Sequence, residues 1–292
     1  MDITVVIPVH NQALPLSLTL QAFARQDVPP DRFRIVIVDD GSAEPISAVV
    51  ESYKEDLNLC LIRIPRSGRA FARNVGARKA KGGLLVFCDA DRMPRPQFIS
   101  AHAEAFKRYE ESVCVGQVRE MYVAQPERNR KLLLESFISA KRDRIPQYCR
   151  LVYSLFDQTG RTESPIAWVA ALSGNLSLPV SLFCTLQGFD ERFSEWGFEH
   201  MEFGYRAAHA LASFRYLREA INVHIAHPRG SGSYKSYIQN SHNLFYSKHP
   251  EPEVFHFLDF MLGQMSLRDF ERVAGGDGVG EDGFVKITNF SR

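Results

Sequence analysis

Cys88-Asp89-Ala90-Asp91-Arg92 places two carboxylates one residue apart, directly after an apolar run. In an extended chain alternate side chains point the same way, so Asp89 and Asp91 share one side. Paired acids of this kind can divide a task. One can reach a ribose hydroxyl while the other ligates a divalent ion that bridges a diphosphate, and hard oxygen donors suit Mg2+ or Mn2+. An Asp-x-Asp alone is a weak signal, because any polar turn can contain it. Two companions strengthen it. Val38-Asp39-Asp40-Gly41-Ser42 repeats the plan of apolar run, paired acids and glycine turn. Gly68-Arg69 to Arg73-Asn74-Val75-Gly76 opens a helical stretch whose backbone N–H groups and arginines can face phosphate or base. Arg69 and Arg73 share a helical face, and the bland use of such a pair is a solvated basic surface.

These residues need a frame. Ile3 to Ile7, Phe33 to Val38, Leu57 to Ile64 and Leu84 to Cys88 are apolar runs that suit strands covered on both faces. Between them lie helical segments, with Leu16, Leu20 and Phe23 on one face and an alanine-rich stretch around Ala72, Val75, Gly76 and Lys79. This alternation predicts a doubly wound, mostly parallel sheet flanked by helices. The polar turns at Pro8 to Gln12, Asp39 to Ala43 and Asp89 to Pro94 then fall at the carboxyl ends of strands, where open α/β sheets bind ligands. Beyond residue 112 the pattern changes. Val113 to Val118 reads as a strand, Glu127 to Arg144 as a charged helical stretch and Glu199 to Leu211 as a helix. Phe214 to Leu217 and Ile221 to Ala226 read as two short strands, and residues 234 to 270 as mostly helical. Gly275 to Gly283, with five glycines and three acids, reads as a flexible turn or linker.

With 292 residues, 45% apolar and 24% charged, the chain is large enough to bury a real core. Its 35 basic and 34 acidic residues leave a net charge of +1, which excludes wholesale electrostatic binding of nucleic acid. No apolar run approaches the ~18 residues that span a bilayer, and no secretory leader pattern is present, so a cytoplasmic location is expected. Peripheral membrane contact or an anionic acceptor at the basic stretch 128 to 144 stays open beside the plainer reading of a solvated face. Five cysteines without a Cys-x-x-Cys pair read as reduced thiols.

In order and spacing, Ile7-Pro8-Val9-His10-Asn11, Val38-Asp39-Asp40-Gly41-Ser42, Ala72-Arg73-Asn74-x-Gly76 and Asp89-Ala90-Asp91 resemble the signature of family 2 glycosyltransferases with the GT-A fold. The resemblance covers residues 1 to about 110. It implies that Pro8, His10, Asp39, Asp40, Gly68, Arg69 and Arg73 hold the nucleotide of a donor, most simply a UDP-sugar. It also implies that Asp89 and Ala90 line the ribose and that Asp91 binds Mn2+ or Mg2+. Three segments of the second half, Leu172 to Ser177, Gly188-Phe189-Asp190-Glu191-x-Phe193 and Trp196-Gly197-Phe198-Glu199-His200, resemble the acceptor region of galactosyltransferases and chondroitin polymerases. That implies acceptor contacts from Asn175, Trp196 and Glu199, and a His at the end of the Ile221 to Ala226 strand, His227 with His224 assisting, as further metal ligand.

Those families usually read Trp-Gly-x-Glu-Asp, with the Asp as base, and here His200 stands in its place. Three options follow. A neutral imidazole, with an ordinary pKa near ~6.5, can deprotonate a sugar hydroxyl. Glu199 can do so instead, supported by Glu202 on the same helical face, since neighbouring carboxylates raise one another's pKa. Or the site is impaired and the protein is a nucleotide-sugar-binding regulator or partner subunit. The glycine-rich segment Arg229 to Lys235 reads as a lid or a mobile connection.

The resemblance therefore implies a metal-dependent, inverting transfer of a hexose or N-acetylhexosamine to a glycan, peptide, lipid-linked or small-molecule acceptor. Residues 1–118 form the donor half, 119–232 the acceptor and catalytic half, and 233–292 a helical extension with a flexible tail. A nucleotidyltransferase is disfavoured because Pro8-Val9-His10-Asn11 is no glycine-rich basic loop, and a dehydrogenase because no Gly-x-Gly-x-x-Gly follows Ile7.

Overall fold

The computed structural model describes residues 2–109, 111–194, 197–226 and 234–286. Among these, eight strands form one sheet: β1 (Ile3–Val9), β2 (Arg34–Asp40), β3 (Leu59–Ile64), β4 (Leu84–Cys88), β5 (Arg92–Pro94), β6 (Ser112–Tyr122), β7 (Asn175–Pro179) and β8 (Ser213–Ala226). Their spatial order is β3-β2-β1-β4-β7-β6-β8-β5. The first four are mutually parallel, as the apolar runs predict, and β1 is buried along its whole length. Helices α1 (Ala13–Phe23), α2 (Ile46–Glu51) and α3 (Arg69–Ala77) provide the crossovers. At Gly76 in α3 an added Cβ would stand 2.4 Å from a Val6 methyl, so the absence of a side chain lets α3 lie directly on β1.

The second half enters the same sheet by antiparallel insertion. β7 pairs with β4 and β6 in antiparallel fashion, β6 runs parallel to β8, and β5 is antiparallel to β8. Two registers matter for the site. Asn175 pairs with Cys88, which sets the segment before β7 against Asp89, and Arg92 pairs with His224, which carries that imidazole towards Asp91. The remaining helices are α4 (Phe98–Arg108), α5 (Arg130–Ser139), α6 (Gln147–Tyr153), α7 (Val180–Thr185), α8 (Glu199–His209), α9 (Tyr234–Lys248), α10 (Pro252–Met261) and α11 (Leu267–Val273). No helix among the described residues is long and apolar enough to cross a membrane.

Three sequence expectations change. The two short strands at 214–217 and 221–226 are one strand, β8; its pairing with β6 slips between Gly116 and Gln117, and residues 218–220 bulge. The charged helical stretch is shorter than 127–144, because Ala140 adopts a left-handed conformation that ends α5, and Arg144 bridges to Glu120 in an isolated β-pair. The segment 275–283 is held in place rather than loose. Gly280 N–H donates to Glu271, Leu267 N–H to the Gly283 carbonyl and Glu281 N–H to Ser154.

The C-terminal helices share the core of the sheet's second half. Fully buried Trp168 meets Tyr205 of α8, Phe245 of α9, Phe257 of α10 and Phe270 of α11 edge-on, at centroid distances of 4.9–6.1 Å. The five cysteines are unpaired.

Candidate active site

The carboxyl edge of β1 and β2 is knit by its own side chains. Pro8 is buried within β1, paired with Val38, and His10 follows it with Nδ1 2.8 Å from the Asp40 carbonyl. Asn11 takes a positive φ of 50° and donates its N–H to Ser42. Asp39, almost wholly buried, accepts the Ser42 N–H at 2.9 Å. Asp40 accepts the N–H groups of Ser67 at 2.6 Å and Gly68 at 3.0 Å, and pairs with Arg66. Its carboxylate thus orders the loop into α3, and Gly68, with φ of 95°, caps that helix. These interactions set Arg69 at the start of α3 with its side chain exposed.

Arg73 departs from the expectation of a donor contact. Its guanidinium is 3% exposed and points inward, with Nη2 donating to Asp89 Oδ1 at 2.8 Å and Nη1 to Glu199 Oε1 at 2.9 Å. Ala90 departs too. Residues 89–91 are a turn rather than the extended run expected, closed by the Arg92 N–H donating to the Asp89 carbonyl at 3.2 Å; within it Ala90 packs into the core and its carbonyl accepts Thr19 Oγ. Asp89 remains 28% exposed. Burial would raise its pKa, but Arg73 and Arg92 hold it below the usual range.

Asp91 Oδ2 accepts Gln12 Nε2 at 3.1 Å and lies 3.6 Å from His224 Nε2. A carboxylate oxygen and an imidazole nitrogen at that separation, both partly open to solvent, form a donor pair that fits Mn2+. Among the described residues no third Asp, Glu, His or Cys completes a metal cluster. His227 and Trp196 lie outside the described residues, as does most of the 229–235 segment.

The opposite wall is the start of α8. Phe198 takes a positive φ of 68°, which turns the chain so that Glu199 begins the helix inside the site. Glu199 is 3% exposed, at a helix N-terminus that favours a negative charge. Burial pushes its pKa up, but His200 beside it, then Arg73 and Arg69, hold it well below the carboxylate range. His200 Nδ1 lies 3.5 Å from Glu199 Oε1.

Glu202 does not join this wall. It accepts from Arg206 at 2.9 Å, Lys248 at 2.5 Å and His249 at 3.1 Å, fastening α9 to α8. Burial would raise its pKa, yet the hydrogen bonds from His249, Arg206 and Lys248 and the Arg206 charge hold it at about 2. The expected mutual raising of two carboxylates is therefore overturned: each has its own cation and both are lowered. Asn175 is likewise withdrawn from acceptor contact. It is fully buried, its Oδ1 3.0 Å from His102 Nε2 and its amide donating to the Gln117 and Ala220 carbonyls, so it locks β7 between neighbouring strands.

Several residues escaped the sequence reading. Gln12 was visible only as part of a polar turn, and Arg92 only as the residue after the paired acids. Gly174 has a clearer structural reason: a Cβ there would stand 2.2 Å from Arg92 Nε and 2.6 Å from Asp89 Oδ2. Asn74 exchanges hydrogen bonds with the Phe189 backbone and donates to Glu191, tying α3 to the segment that leads to α8.

Buried polar atoms without a hydrogen-bond partner gather here: Arg73 Nε, Arg92 Nη1, Glu199 Oε2, His200 Nδ1 and Asn222 Oδ1. Native interiors leave few such atoms, so a cluster of them marks a surface shaped for something else to bind. An open cleft of about 950 Å³ lies instead at the amino end of β4, lined by Lys81, Gly83, Lys107 and Pro179, and holds no acid pair or histidine.

Paired acids at the carboxyl edge of a parallel sheet, closed by antiparallel strands that bring a second acidic wall, define an α/β protein of the GT-A class. The chain belongs to the family described as glycosyl transferase family 2, whose model matches residues 4–161. It is 31% identical over 274 residues to the validoxylamine A glucosyltransferase of Streptomyces hygroscopicus subsp. limoneus, covering 87% of this chain and 58% of that protein. The chain thus spans under two thirds of that relative's length. Its fold matches S. aureus TarS 1–349 in complex with UDP at a TM-score of 0.62 and 19% identity, over 85% of this chain and 65% of that one. It also matches the mannosyltransferase PcManGT of Pyrobaculum calidifontis, in complex with GDP-Man and Mn2+, at 0.59 and 18% identity, over 94% and 72%.

Proposed function

We infer that this chain transfers a hexose or N-acetylhexosamine from a UDP-sugar to an acceptor hydroxyl, with inversion and with a divalent ion. The observation that carries this reading is the convergence of Asp89, Arg73, Glu199 and His200 within one chain of contacts, beside Asp91 and His224. Family membership, a relative named as a glucosyltransferase and fold neighbours solved with UDP or with GDP-Man and Mn2+ support it. Asp39 and the His10 turn line the base, and Asp89, still exposed, takes a ribose hydroxyl.

Asp91 and His224 would hold the ion, which when bound neutralises charge on the departing diphosphate. Glu199, buried at this wall, orients His200 from behind. Glu199 itself is a poor base, since it is buried and ion-paired to Arg73. His200 takes the hydroxyl proton as the acceptor oxygen bonds to the anomeric carbon. The bond from that carbon to the diphosphate breaks, and UDP leaves with its electron pair.

Free UDP released from a panel of UDP-sugars, with Mn2+ or with EDTA, tests this reading. Metal-dependent turnover of one donor, lost in Asp91→Ala, is expected. Metal-dependent UDP binding without turnover of any donor, with or without a panel of acceptors, would point to a nucleotide-sugar-binding protein instead.

A further inference from the structure

Arg73 touches both walls of the site. One arm of its guanidinium holds Asp89 on the donor side, the other holds Glu199 on the acceptor side, and Glu199 in turn lies 3.5 Å from His200. The group is fixed from behind. Its carbon sits 5.7 Å over the Phe189 ring, and the adjoining Asn74 is bound to the Phe189 backbone through both N–H and carbonyl. Asp89 is open enough for a ligand to touch, whereas Arg73 and Glu199 are both 3% exposed. A change in charge or geometry at Asp89 therefore passes inward, along a path that solvent screens little.

We propose that Arg73 is a positioning residue that couples nucleotide occupancy at Asp89 to the orientation of Glu199 and His200. This deepens the glycosyltransferase reading and rests on its assignment of Asp89 as the ribose contact. When a ribose hydroxyl donates to Asp89, it competes with Arg73 for carboxylate lone pairs. The guanidinium is then drawn closer to Glu199, which resets the carboxylate against His200. The two arms of a guanidinium hold two carboxylates at a fixed angle, whereas a lysine ammonium, which can also meet two acids, is a single charge on a flexible stem and does not impose that angle. The base is thereby set for the acceptor only when donor is present, which guards against unproductive proton transfer.

The test is a histidine-labelled NMR spectrum read during titration with UDP and Mg2+. The His200 ring resonance is identified by its loss in His200→Gln. In the wild type it moves as UDP binds. Arg73→Lys and Glu199→Gln are expected to bind UDP within about threefold of wild type while the His200 resonance stays in place, as loss of a coupling path without loss of the site requires. Should Arg73→Lys fail to fold, Glu199→Gln decides by the same criterion. A His200 shift that persists in the variants would overturn the coupling, because the nucleotide would then act directly through space. So would a wild type that binds UDP with His200 unmoved. A wild type that binds no UDP would overturn the donor assignment itself, and the coupling with it.

Discussion

At the scale of single residues, the chemistry turns on which group beside Arg73 is left able to accept a proton. Glu199 is buried and ion-paired to Arg73, which makes it a poor proton acceptor. His200 stands 20% exposed at the same helix start, and on the proposed reading it is the group that meets the acceptor hydroxyl. Replacing His200 by Ala should lower transfer by about 10²- to 10⁴-fold with donor binding kept, while His200→Asp should recover most of the rate. Equal rates for His200→Ala and wild type would remove His200 from the chemistry. The paired acids Asp89 and Asp91 stood out in the sequence as polar residues directly after an apolar run, but they sit in a turn rather than an extended strand, and His224 was expected only to assist His227. The inward turn of Arg73 was not, since helical spacing pairs it with Arg69 but says nothing of which one packs against an acid.

At the scale of elements, β7 joins the two halves, and it does so through buried polar groups. His102 of α4 lies 2.8 Å from Ser177 Oγ and 3.0 Å from Asn175 Oδ1, both in β7. Complete burial lowers its pKa from 6.5 to about 4, the Asn175 contact opposing this only in part. The folded state thus keeps His102 neutral while the unfolded chain binds a proton below about 6.5. Stability is full above that pH and falls as pH drops towards about 4, by up to about 1.4 kcal/mol per unit. Urea unfolding across this window should show a steeper loss for wild type than for His102→Gln. Parallel slopes would contradict it. Just before β7, Gly174→Ala should weaken UDP binding by about 10- to 100-fold, because its methyl would displace Arg92 and Asp89 together. Calorimetry showing unchanged affinity would contradict that close approach. Neither His102 nor Gly174 stood out in the sequence. Their roles depend on the antiparallel insertion of β7 beside β4, a pairing between residues some ninety apart that no local pattern announces.

At the scale of the whole molecule, the C-terminal helices belong to the same core as α8. Trp168 packs against α8, α9, α10 and α11, and the Glu202–Lys248 pair adds a charged fastening. Trp168→Ala should cost about 3–5 kcal/mol and loosen α8 with the rest, so thermal stability and donor turnover should fall together. A lowered melting temperature with intact turnover would show the helices to be separable from the site. The parallel half of the sheet was readable from its apolar runs. The second half was readable only in pieces, since its strands are joined by distant pairing and a bulge. The central claim is that this edge binds a nucleoside diphosphate with a metal ion at Asp91. The most direct measurement is calorimetric titration of wild type and Asp91→Ala with UDP, with Mn2+ and with EDTA. Binding by wild type that weakens at least about tenfold with EDTA and in Asp91→Ala is the expected result. No binding of UDP under either condition, or equal binding by Asp91→Ala, would contradict it.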